Sequence, residues 1–216
     1  MKRLTLISFV LLGAVLLSAC ASATSWPGLI TDTNNAYLTN GQNVYAVRLS
    51  DGTKVWSYAA SHGQIFYSDP VLTPDGQLLV GSAGTDHGLV SLDPAKGLDP
   101  ATGKENWIFS GAKDRWIAAP LVINDTIYAP NNDGSLYALK LATGELLWSL
   151  SIGHPFWSAP VTDGKLIFLT SLDHFLYAIN PQSQKIVWKV DLGGSSAGSP
   201  ALSADDTTLY VGSFGK

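Results

Sequence analysis

Cysteine, charge and helical periodicity are all scarce in this chain. Cys20 is the only cysteine in 216 residues, so no disulfide can close within the sequence. Charged residues make up 14% against 46% hydrophobic, and that balance excludes disorder because apolar surface is ample to offset chain entropy. Past Arg3 there is no run of Lys or Arg, and the formal net charge is −4. A phosphate-backbone partner therefore has no electrostatic footprint, and nucleic acid is not an expected partner. Gly (21) and Pro (11) interrupt the sequence too often for a capped 3.6-residue apolar stripe to develop beyond the N-terminus. An all-β chain is expected.

The N-terminus is a separate object. Lys2-Arg3 precede an apolar run from Leu4 to Leu17, and Leu17-Ser18-Ala19-Cys20 follows. A 14-residue run falls short of the roughly 20 a membrane-crossing helix needs, so residues 1–19 are expected to be a cleaved export signal. Leu-Ser-Ala-Cys looks like the lipobox of bacterial lipoproteins. That resemblance implies that Cys20 is diacylated and anchors the chain to the outer face of the cell membrane, or to the outer membrane in a double-membrane host. Residues 20–25 would form a short polar tether.

Two markers recur through the rest. Trp56, Trp107, Trp148 and Trp188 are spaced by 51, 41 and 40 residues, and Pro27, Pro70, Pro120, Pro160 and Pro200 by 43, 50, 40 and 40. A period of about 40 residues, made of short apolar runs and tight turns such as Asn40-Gly41 and Asp51-Gly52, signals a β-propeller of four-stranded antiparallel blades. The expected blades are 26–58, 67–109, 117–150, 157–190 and 197–216. The second is the longest, because Leu92-Asp-Pro-Ala-Lys-Gly97 is copied at once as Leu98-Asp-Pro-Ala-Thr-Gly103, and further residues enter around Gly81–Gly88. The fifth is expected to hold two strands only, so the sequence reads as four and a half blades of a longer ring.

The unit is most complete at Asp133-Gly-Ser-Leu-Tyr-Ala-Leu-Lys-Leu-Ala-Thr-Gly-Glu-Leu-Leu-Trp148. It resembles the pyrroloquinoline-quinone-type (PQQ-like) propeller repeat over residues 26–216, and with the lipobox added the chain is similar to the BamB-like lipoproteins. The resemblance implies that Trp56, Trp107, Trp148 and Trp188 dock blade to blade beside the turn glycines Gly52, Gly103 and Gly144. The fourth copy departs, with Gln184 at the glycine position and Asp173-His174 where Asp-Gly is expected. Quinone dehydrogenases with this repeat carry an adjacent cysteine pair and a Ca²⁺ held by clustered oxygen ligands. Here there is one cysteine, and acidic residues such as Asp51, Asp75, Asp133 and Asp163 fall at turn positions, so neither PQQ nor Ca²⁺ is an expected cofactor.

Other motifs carry less. Gly194-Ser-Ser-Ala-Gly198 matches the hydrolase nucleophile elbow but has no helix to follow it. His62, His87, His154 and His174 lack the spacing of a metal site. Phe66-Tyr67, Trp116 and Phe156-Trp157 lie three or four residues before a blade-opening proline, with Arg115 and His154 beside them. Such aromatics and Arg suit a protein-contact surface, and they also suit a cap on the core between inner strands. The expected function is a non-catalytic binding or assembly scaffold at the cell envelope. The alternatives are a degenerate quinoprotein dehydrogenase and an envelope sensor or substrate-capture lipoprotein.

Overall fold

A computed structural model of the chain describes residues 28–60, 63–97 and 105–215. The signal segment, Cys20, the tether and Gly103 lie outside the described residues. Within them every regular element is a strand.

Blade one pairs β1 (Leu29–Thr31), β2 (Asn35–Asn40), β3 (Asn43–Arg48) and β4 (Lys54–Ala59) in chain order as an antiparallel meander. Asn40 pairs with Asn43, so Gly41 and Gln42 form the hairpin loop, one residue later than the Asn-Gly reading. Gly41 has φ +60, the left-handed first position that only glycine occupies without cost. The third and fourth blades repeat the plan. They comprise β10 (Leu121–Ile123), β11 (Thr126–Pro130), β12 (Ser135–Lys140) and β13 (Leu146–Ser151), then β14 (Val161–Thr162), β15 (Ile167–Thr170), β16 (Phe175–Asn180) and β17 (Lys185–Asp191). The fifth has β18 (Ala201–Leu202) and β19 (Leu209–Tyr210) among the described residues.

Blade two differs. Besides β6 (Val71–Leu72), β7 (Leu78–Gly84), β8 (Leu89–Leu92) and β9 (Trp107–Phe109), it holds a strand the sequence pattern does not announce, β5 (Gln64–Phe66). β5 pairs with the far end of β7, and the Phe66 N–H donates to Gly41 O at 2.7 Å, tying blade two to blade one.

In blades one, three and four the register shifts by one residue on the outer strand, at Ala46/Val47, Ala138/Leu139 and Ala178/Ile179. Each bulge precedes the blade tryptophan and turns Val55, Leu147 and Val187 outward, where they are exposed. The tryptophan lies opposite a strand-three alanine: Trp56 with Ala46, Trp148 with Ala138, Trp188 with Ala178. Those alanines in turn pair with Tyr37, Tyr128 and Phe168 on strand two. With only a methyl between them the aromatic rings meet across the strand, at centroid distances of 6.0, 5.8 and 5.7 Å, a favourable range for tilted ring pairs.

The apolar core is divided between blades. One cluster joins Tyr37, Val44 and Tyr58 of blade one to Leu78, Val80 and Val90 of blade two. A second joins Leu79 and Leu89 to Ile127, Tyr137 and Leu139. A third joins Tyr128, Leu136 and Ala138 to Ile167, Leu169 and Tyr177. Blades two, three and four therefore each pack on both faces against their neighbours, as ring stacking requires.

Candidate functional surface

Turn chemistry sets the docking contacts. A Cβ on Gly144 (φ +70) would lie 2.4 Å from Trp107 Cε3, so blade three presents bare backbone to the indole of blade two. Trp107 Nε1 donates to Leu141 O at 3.1 Å and to Gln77 Oε1 at 3.0 Å. Trp56 meets the equivalent turn of blade two, and its Nε1 donates to Pro94 O at 3.0 Å. The glycine it faces is Gly97, where a Cβ would sit 2.8 Å from the ring. Gly97, which closes the first of the tandem hexapeptides, lies in the docking turn for Trp56, and the expected Gly103 lies outside the described residues. A Cβ built on Gly52 has no described atom within 4 Å, so no docking contact is described at that expected position. In the fourth copy Gln184 takes the same left-handed conformation as Gly144, φ +59, and His174 takes that of Gly134, φ +78 against +82.

A second repeated contact was not read from the sequence. Tyr37, Tyr137 and Tyr177 hydroxyls donate to Asp32, Asp133 and Asp173 at 2.8, 2.5 and 2.5 Å. The four-residue spacing of Asp133–Tyr137 and Asp173–Tyr177 was the available signal. Burial first, and then the neighbouring carboxylate, disfavours the phenolate, which pushes Tyr37 and Tyr137 up to about 12 and Tyr177 up as well.

The loop aromatics separate into two kinds. Phe66, Trp116 and Phe156 are buried, at 0%, 1% and 0% exposure. Each closes an interblade cluster: Phe66 lies against Tyr58, Trp116 edge-on to Tyr137, and Phe156 edge-on to Tyr177. Trp116 and Phe156 are thus corrected from contact surface to core cap. Trp157 is 38% exposed. Its Nε1 donates to Asn132 Oδ1 at 2.7 Å, and Asn132 Nδ2 donates to Asp114 Oδ2 at 2.6 Å. Arg115 Nε lies 3.7 Å from Asp114 Oδ1. Burial works against the Asp114 charge, but the Arg115 N–H, the Asn132 amide and the Arg115 and His87 charges outweigh it and hold its carboxyl below the usual range. His154 is exposed on the adjoining loop. A fixed polar chain ending in an exposed indole and guanidinium, with His154 nearby, is what remains of the candidate partner surface.

A serine and a histidine singled out in the sequence are engaged with backbone carbonyls. Ser196, of the Gly-x-Ser-x-Gly match, is buried and donates to Gly212 O at 2.7 Å, with no base beside it. His87 Nε2 lies 3.2 Å from Ala112 O. Among the described residues no three His, Cys, Asp or Glu side chains converge.

The family described as "Outer membrane protein assembly factor BamB" matches residues 95–216. The chain belongs to that family. A BamB of Legionella pneumophila (strain Paris) is 28% identical over 141 residues, covering 65% of this chain and 33% of the relative; the chain thus spans about a third of that relative's length. The solved BamB of Moraxella catarrhalis superposes with a TM-score of 0.66 at 16% identity, over 86% of this chain and 54% of that one. A quinohemoprotein alcohol dehydrogenase, ADHIIG from Pseudomonas putida HK5, superposes at 0.60 with 13% identity, over 76% and 34%. At such identities the superpositions speak for the PQQ-like propeller fold alone.

Proposed function

We propose that the chain is the propeller part of a lipid-anchored, non-catalytic scaffold at the bacterial envelope, working with a protein partner in outer membrane protein assembly. The observation that carries this is the family match over residues 95–216, within which Trp157 and its polar chain form an exposed contact surface. Anchoring is supported by Leu17-Ser-Ala-Cys20 and by the lack of any second cysteine, which puts the protein on the outer face of the cell membrane or on the outer membrane. A non-catalytic role is supported by the tied hydroxyl of Ser196 and by the single cysteine of the sequence, which cannot form the adjacent cysteine pair.

The test has two arms. Cells expressing the chain are labelled with a fatty-acid analogue, and label and membrane retention are expected to vanish in Cys20→Ser. Equal labelling of wild type and variant would overturn the lipid anchor. The purified chain is also titrated calorimetrically with PQQ and Ca²⁺, with no heat of binding expected. Tight, saturable binding would replace the scaffold with the dehydrogenase reading.

A further inference from the structure

The face that carries Trp157 is built from three stretches: residues 113–116 ahead of blade three, the blade-three hairpin 131–134, and residues 153–157 ahead of blade four. They interlock. The Asn132 N–H donates to Arg115 O at 3.2 Å, the Lys113 N–H donates to Asp133 Oδ2 at 3.0 Å, and a Cβ on Gly134 would lie 2.6 Å from His154 N. Lys113, Arg115, His154 and Trp157 therefore share one patch, and all four are exposed.

The acids of this patch are spent, and its donors are not. Asp114 accepts from the Arg115 N–H at Oδ1 and from Asn132 Nδ2 at Oδ2. Asp133 accepts from the Ser135 N–H, the Tyr137 hydroxyl and the Lys113 N–H. In the next hairpin Asp173 accepts from the Phe175 N–H and the Tyr177 hydroxyl. Arg115 is different: it meets Asp114 through Nε alone, at 3.7 Å, and its side chain is 52% exposed. Its two Nη groups make no hydrogen bond among the described residues. A chain of net charge −4 thus turns a cationic edge outward here. Asp86 shares a cleft with Lys113 and offsets that ammonium, which leaves Arg115 as the stronger anion receptor.

The indole is held ready in the same way. Its Nε1 is fixed on Asn132 Oδ1, so the exposed ring surface has only an apolar contact to offer, and a ring ordered beforehand lowers the entropic cost of binding. A planar guanidinium with free Nη donors matches a carboxylate in bidentate geometry. A cationic partner would be repelled, and a neutral one would leave that fork without its match.

We propose that this patch receives a segment of a partner protein in which an Asp or Glu side chain seats on the Arg115 fork and a neighbouring apolar side chain covers Trp157. The inference rests on the scaffold reading and adds the chemistry of its partner. The test follows the Trp157 indole N–H by NMR in the purified chain, assigned with Trp157→Phe, as N-acetyl-Leu-Glu-Leu-Glu-amide is added to millimolar concentration. A saturable shift is expected. The neutral isostere N-acetyl-Leu-Gln-Leu-Gln-amide should bind about tenfold or more weakly, and Arg115→Gln should bring the acidic peptide down to the same level. Arg115→Lys, which keeps the charge and loses the fork, should lie between them. The proposal is overturned by the absence of a saturable shift, by equal affinity for the two peptides, by affinity unchanged in Arg115→Gln, or by inorganic phosphate moving the indole as far as the acidic peptide does. Photo-cross-linking from position 154 in cells reads the scaffold separately. A protein captured equally by wild type and Arg115→Gln leaves the scaffold standing and removes the acidic partner, whereas no captured protein removes both.

Discussion

Trp107 of blade two rests on the bare backbone of Gly144 in blade three, with no room for a methyl group between them. Gly144→Ala is therefore expected to incur two penalties: a left-handed conformation for an L-residue, and overpacking against an indole tied down by two hydrogen bonds. Together they should cost about 3 kcal/mol. Gly52→Ala is the internal control, since Gly52 shares the conformation, φ +71, but faces no described atom. It should cost only about 1 kcal/mol. Urea unfolding of both variants measures the difference, and equal losses would show that the docking contact contributes nothing.

Gln184 is the reverse case. It is an exposed non-glycine residue at φ +59, in the position Gly144 occupies one blade earlier. Gln184→Gly removes the left-handed strain and partly offsets it with a more flexible unfolded chain. The expected gain is about 0.5–1 kcal/mol. A raised urea midpoint at unchanged slope would register it, and a loss would mean that the Gln184 side chain makes a contact worth more than its strain.

The contrast between these positions marks where the sequence was readable. The 40-residue step, the four-strand meander and the Trp-bearing outer strands follow from local pattern, because turn residues and apolar alternation are local properties. Which of two tandem hexapeptides would dock against Trp56 was not local. Gly97 and Gly103 close near-identical runs, and the approach of Gly97 to Trp56 is a matter of blade-to-blade packing. The loop aromatics were ambiguous for the same reason. Phe156 and Trp157 are adjacent, yet one closes a core and the other faces solvent, a division made by the neighbouring blade. Strand β5 depends on a backbone approach between Gly63 and Gly84 that no spacing reveals.

The Tyr–Asp contacts make alkaline stability informative. Tyr37 and Tyr137 are raised from the model-peptide value of 10.0 to about 12 in the folded chain. Below pH 10 the folded and unfolded states both hold these protons, and the stabilisation is complete. Between about pH 10 and 12 the unfolded chain loses its phenolic protons while the folded chain keeps them, so stability falls as pH rises. Urea midpoints measured upward from pH 8 should be level and then decline above pH 10. Tyr137→Phe should flatten that decline while lowering stability at pH 8, and an unchanged slope in the variant would refute the assignment.

The neighbours Phe156 and Trp157 allow fold and partner binding to be separated. Phe156 is fully buried, edge-on to Tyr177 in the cluster joining blades three and four, so Phe156→Ala should destabilise by about 3–5 kcal/mol. Trp157 is over a third exposed and has a single hydrogen bond, to Asn132, so Trp157→Ala should cost only about 1 kcal/mol. If the exposed indole anchors a partner, the weight of aromatic and Arg residues in interfaces predicts that Trp157→Ala and Arg115→Ala each weaken association by about tenfold or more. Photo-cross-linking from a residue placed at His154, in living cells, reads that association, and melting of the purified variants, lowered by only a few degrees, shows that they remain folded. Undiminished cross-linking in both variants would remove this loop face from the contact surface, and a stable Phe156→Ala would undo the division between cap and surface on which the prediction stands.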